Sequence, residues 1–244
     1  MAAVVDDDVV RTVFFALDLT GVFANAVLGS VIARREKFDV VGFMTLAVLS
    51  GLGGGIIRDT LLQHGPPVAL TKQAYLLTAL CTAAVAFVVR VEGRWWDRLW
   101  PWVDALALGC WAAAGAQKTL SVGLGWLPAI LLGAMTAVGG GVVRDIVLRR
   151  VPTVLGGNTL YATCALAASG ALVALNYLGH PTLGMIAALV VGAGLCLLAR
   201  WRGWILPDAD AWSPMARVSR HVSRRYRDRR RRRLLKDGRH ESQE

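Results

Sequence analysis

The chain has 244 residues, 55% of them hydrophobic and 18% charged, with a mean hydropathy of +0.48 and a formal net charge of +10. So apolar a composition excludes an ordinary water-soluble domain of this length and marks a membrane protein. The charge does not point to nucleic acid, because it is a tail: residues 217–244 hold twelve Lys or Arg against four acids, and the rest of the chain is nearly balanced.

The start carries Asp6, Asp7 and Asp8 in place of the basic stretch of a signal peptide, so no cleaved leader is expected. A membrane helix needs about 20 mostly apolar residues, and seven runs meet that need, near 10–32, 40–62, 72–91, 101–120, 126–148, 158–178 and 182–201. The second run contains Gly53-Gly54-Gly55-Ile56-Ile57-Arg58-Asp59, and the fifth repeats it as Gly139-Gly140-Gly141-Val142-Val143-Arg144-Asp145. The offset of 86 holds without a gap far beyond the glycines, setting Asp18 on Asp104, Gly29 on Gly115, Pro66 on Pro152 and Tyr75 on Tyr161. The chain is a duplication. The reading divides it into an acidic segment (1–9), a first three-helix repeat (10–91), a second (92–178), a seventh helix (179–206) and a basic tail (207–244).

Three spans per copy make the second copy enter the membrane from the opposite side, the arrangement of an inverted repeat. The basic residues agree with this. Arg34, Arg35 and Lys37 follow the first span, Arg90, Arg94 and Arg98 the third, Arg149 and Arg150 the fifth, and Arg200, Arg202 and the tail the seventh. Because Lys and Arg collect on the cytoplasmic side, the expectation is an N-terminus outside and a cytoplasmic C-terminus in a cell inner membrane.

Three glycines in a row cost a helix roughly 1 kcal/mol each against alanine. Small residues also let membrane helices pack closely. The duplication, the midplane depth and the adjoining Arg-Asp pair favour opened backbone, so glycine-broken second and fifth helices are expected, with freed carbonyls along a polar path. Pro66 and Pro152 then end half-helices. The pairs Arg58-Asp59 and Arg144-Asp145 either cap those breaks or serve conduction. Asp18 and Asp104, deep in apolar helices, are the stronger candidates for the path, with a structural pairing to Arg58 or Arg144 as the competing account. Lys118 falls opposite Ile32 in the repeat register and breaks the symmetry; it either snorkels to the interface or acts on the path.

Cys81, Cys110, Cys164 and Cys196 have no metal-ligand spacing, and no nucleophile, base and orienter set or phosphate loop is present, so no enzyme, catalytic residue, metal or cofactor is expected. The run Arg229–Arg233 suits anionic lipid at the cytoplasmic face and carries no platform for specific nucleic acid.

With its doubled GGG-x-x-RD, Asp18, Asp104, Gly115-Ala116-Gln117-Lys118 and Pro66 and Pro152, the chain resembles prokaryotic members of the trimeric intracellular cation (TRIC) channel family over roughly residues 10–200. The resemblance implies an all-α membrane protein with a three-plus-three-plus-one arrangement, a homotrimer, and a pore for monovalent cations, chiefly potassium, in each protomer. Asn25 and Leu28 depart from the family pattern, which commonly has an aromatic and a small hydroxyl residue there. Bacterial relatives are also labelled glycine transporters, so a secondary transporter of a small zwitterion stands as the second reading, and a membrane scaffold with a recruiting tail as the third.

Overall fold

The structure, a computed structural model, describes residues 2–90, 93–155 and 160–205, with side chains described from residue 8 onward. The basic tail, Arg229–Arg233 included, lies outside the described residues. The described residues form eight α-helices: α1 (Ala2–Arg35), α2 (Val40–Leu62), the single turn α3 (Val68–Thr71), α4 (Gln73–Val88), α5 (Arg94–Ser121), α6 (Trp126–Val147), α7 (Tyr161–Tyr177) and α8 (Pro181–Arg202), with a 3-10 turn at Thr153–Leu155.

By length and hydropathy, Asp8–Arg35, α2, α6 and α8 suffice to cross a membrane, and α4 and α7 are shorter apolar helices. Apolar side chains cover the outside, with Val41, Leu70, Val88 and Val190 each well over half exposed, as lipid contact requires. The duplication reaches the ends of the helices: α2 begins at residue 40 and α6 at 126, and α1 and α5 end at 35 and 121, while α7 begins at 161, two residues later than the start of α4 at 73 would place it.

The interior is built from small residues. Ala24, Ala26, Ala105, Ala107, Ala112, Ala113, Ala116, Ala129, Ala165 and Ala168 are buried together with Leu108 and Leu172. Lipid tails are as apolar as leucine, so close backbone approach, giving dispersion contacts and interhelical bonds, holds such a bundle together. Gly29 brings α1 onto Ser50 of α2, and at the equivalent place Gly115 brings α5 onto Thr136 of α6. Gly109 and Gly192 let α5 and α8 meet, a Cβ on Gly192 falling 3.0 Å from the Gly109 Cα.

The triple glycines do not break their helices, contrary to the sequence expectation. Both α2 and α6 run on as α-helix through Gly53–Gly55 and Gly139–Gly141. What the glycines provide is the crossing of α2 with α6. A Cβ on Gly54 would run into the Thr136 carbonyl, and one on Gly140 into the Ser50 carbonyl. A Cβ on Gly139 would lie 2.9 Å from the Gly54 Cα. The contacts are reciprocal, 54 with 136 and 50 with 140, so the strands of contact run antiparallel and interchange under the 86-residue repeat. Tertiary packing therefore overrides the propensity argument: the helical penalty of glycine is offset by the interhelical approach that only glycine allows.

Candidate functional site

The crossing separates two clusters of buried charge. In the first, Arg58 on α2, 1% exposed, donates from Nε to Asp59 Oδ1 at 2.7 Å and from Nη1 to Asp18 Oδ1 of α1 at 3.5 Å. Tyr75 on α4 donates its hydroxyl to Asp18 Oδ2 at 2.8 Å. Asp59 Oδ2 accepts the backbone N–H of Val68 at 2.9 Å, which fixes α3 beneath the end of α2. Lys118 near the end of α5 places Nζ 2.7 Å from Asp59 Oδ1. Two carboxylates thus face two cations, which is the condition for keeping charge in an apolar interior.

The second cluster repeats the plan with one change of partner. Arg144 on α6 donates from Nε to Asp145 Oδ1 at 3.1 Å, and Asp145 Oδ2 accepts the Thr153 N–H at 3.1 Å. Tyr161 on α7 donates to Asp104 Oδ1 of α5 at 3.0 Å. Asp104 Oδ2, however, is held by Arg200 of α8 at 2.6 Å, and among the described residues Asp104 and Arg144 form no ion pair. Beside this cluster lies a cavity of about 460 Å³ that reaches from Arg150, Pro152 and Arg200 to Asn25 and Gly141 at the crossing.

All the site residues expected from sequence therefore gather around one crossing, in two groups. Asp18 is fully enclosed and paired with Arg58. Asp104 is paired too, but with Arg200 rather than Arg144, and it borders the cavity. Lys118 does not snorkel away; it turns inward to bridge the two repeats through Asp59. Sequence reasoning missed Arg200 as a partner, having assigned it to the membrane edge. Its signal was a charge imbalance in the register: Asp104 and Asp145 have Arg144 alone, because Lys118 has no counterpart in that half. Among the described residues no group of His, Cys, Asp and Glu suits a metal ion.

A family model described as a glycine transporter matches residues 15–90 and 101–177, one match for each half of the chain. A UPF0126 membrane protein of Deinococcus radiodurans is 36% identical over 193 residues, covering 78% of this chain and 88% of the relative. The UPF0126 inner membrane protein YadS of Escherichia coli K12 is 33% identical over 151 residues, covering 62% of this chain and 72% of the relative. Among solved structures, the TRIC trimeric intracellular cation channel orthologue from Rhodobacter sphaeroides superposes with a TM-score of 0.72 at 32% identity, covering 78% of this chain and 98% of that one. A prokaryotic TRIC channel solved in 0.5 M KCl gives a TM-score of 0.72 at 28% identity, covering 80% of this chain and all of that one. With both halves matched and the fold shared over 78% of its length, the chain is a multi-pass membrane protein that belongs to the TRIC cation channel family.

Proposed function

We infer that the protein is a monovalent cation channel, selective chiefly for potassium, with one pore in each protomer of a homotrimer. One observation carries the reading: a cavity of about 460 Å³ leads from one end of the bundle to the α2–α6 crossing, and the Lys118–Asp59 pair stands at the other end. The path runs through the protomer along that line, past Gly141, Gly140, Gly139 and Gly53, Gly54, Gly55 at its narrowest point. Asp104, Arg144 and Asp145 border it on the cavity side and the Lys118–Asp59 pair on the other, with the enclosed Arg58 and Asp18 holding Asp59 from behind. The glycines act on it by holding two continuous helices close, and Lys118 by closing one end. The cation conduction of the structural relatives supports the same reading.

In this reading the repeat is inverted in the membrane, the N-terminus is outside and the cavity opens to the cytoplasm, which the distribution of Lys and Arg supports. The basic tail lies against anionic lipid. Reconstitution in planar bilayers tests the function: unitary potassium currents are expected. Saturable glycine uptake without unitary steps would instead establish the secondary transporter that the family model's description suggests.

A further inference from the structure

The two charged clusters are related by the repeat, so each serves as a control for the other. Asp59 and Asp145 are equivalent, and each holds an arginine on Oδ1 and a backbone amide on Oδ2. They differ in what else meets them. Against Asp59 stands the Lys118 ammonium at 2.7 Å, whereas the residue equivalent to Lys118 is Ile32, which lines the cavity beside Asp145. Two turns earlier on the same helices, the Trp111 ring comes within 3.4 Å of the place where a Cβ on Gly55 would stand. The residue equivalent to Trp111 is Asn25, and a Cβ on Gly141 would meet nothing nearer than Arg144 Nη2 at 3.6 Å. In one half an indole and an ammonium fill the space that the other half leaves as a cavity.

Asn25 is 5% exposed. Its amide nitrogen donates to the Gly21 carbonyl at 3.3 Å, and among the described residues its Oδ1 has no hydrogen bond, while the side chain borders the cavity. An amide oxygen without a donor and a carboxylate held by Arg144 and Thr153 thus border one polar space.

We propose that this cavity seats a monovalent cation, held by the Asp145 carboxylate and Asn25 Oδ1 at the position the Lys118 ammonium takes against Asp59. The inference rests on the conduction reading and names an ion's resting place on that path. The first cluster supplies the precedent: a carboxylate that already binds an arginine accepts a second cation at 2.7 Å. Arg144 and Arg200 balance Asp145 and Asp104, and Arg150, which also lines the cavity, is paired with Glu36, so the seat holds its ion by two oxygens and not by excess charge. Such binding is weak, as it must be where an ion enters and leaves.

The test uses the full chain in detergent, its unfolding temperature followed as potassium chloride replaces N-methyl-D-glucamine chloride at constant ionic strength, with planar-bilayer currents recorded in parallel. Potassium raises the unfolding temperature saturably in the unaltered protein. Ile32→Lys tethers an ammonium at the seat, so the half-saturating potassium concentration rises at least ten-fold and conductance falls by a similar factor. Ile32→Met, of similar bulk without charge, keeps both within about two-fold. Asn25→Leu, similar in size without the oxygen, raises half-saturation several-fold. Unchanged saturation in Ile32→Lys overturns the proposal, and so does Ile32→Met behaving like Ile32→Lys. If Ile32→Lys fails to fold, unchanged saturation in Asn25→Leu overturns it. Stabilisation by glycine in place of potassium also overturns it and gives the seat to a zwitterion. Potassium saturation without currents would uphold the seat and remove the channel; currents without saturation would do the reverse.

Discussion

Replacing Gly54 and Gly140 with alanine should weaken the fold, although alanine is the better helix former. The added methyls are directed at the Thr136 and Ser50 carbonyls, backbone atoms of the facing helix that cannot turn aside. Ordinary contact requires α2 and α6 to separate by about 1 Å. Overpacking of this kind costs about 1–3 kcal/mol, and immovable backbone places these sites in the upper half of that range. Against a gain of roughly 1 kcal/mol per site in helix propensity, the net loss is about 1–2 kcal/mol each and about 2–4 kcal/mol for the double variant. Gly141→Ala is the internal control, because its methyl meets only Arg144 Nη2, at an ordinary 3.6 Å; it should be neutral or stabilising by up to about 1 kcal/mol. Unfolding in mixed micelles, followed by circular dichroism against the fraction of denaturing detergent, measures all three. A double variant as stable as the parent would refute the account of the glycines as spacers of a crossing.

Asp18→Asn should cost about 3–5 kcal/mol by leaving Arg58 short of a partner in a closed site. Asp104→Asn should cost less, because Arg200 is 30% exposed and can turn to solvent; the same unfolding assay ranks the two. Lys118→Gln removes the charge that bridges α5 to Asp59, and single-channel recording should show longer openings. Truncation after Asp210 should leave a trimer intact on native mass measurement, since the tail's sequence is polar and carries no apolar pattern. A cysteine at position 120 should react with impermeant reagents from outside only, and labelling from the cytoplasm alone would overturn the inverted arrangement.

The helices were legible because a shared offset of 86 residues fixed two copies at once, and the ends of α2 and α6 fell where the apolar runs stop. The triple glycines were misread. In sequence their packing role was one of two accounts and was set aside, because the partner that gives it value lies on a helix more than 80 residues away. Arg200 was read from its place at the end of an apolar run, but its guanidinium reaches back to Asp104 of α5. Lys118 stood out as a break in the register; that it faces Asp59 and not solvent depends on how α5 lies along α2. The pairing of Asn25 with Trp111 was visible in the register, yet its meaning, an empty volume in one half and a filled one in the other, exists only in three dimensions.

The crossing also bears on how the protein is made. Gly54 meets its carbonyl partner only when Thr136 has been synthesised, 82 residues later. At about 5–20 residues per second that interval is about 4–16 s. For that time the glycine face of α2 has no helix to meet, and for the first 59 residues after Asp59 the cluster of Asp18, Arg58 and Asp59 lacks Lys118 as well. The nascent first repeat is therefore a half-built interface, and its safe passage into the bilayer depends on the insertion machinery keeping α2 apart from other small-residue helices until its own second half arrives.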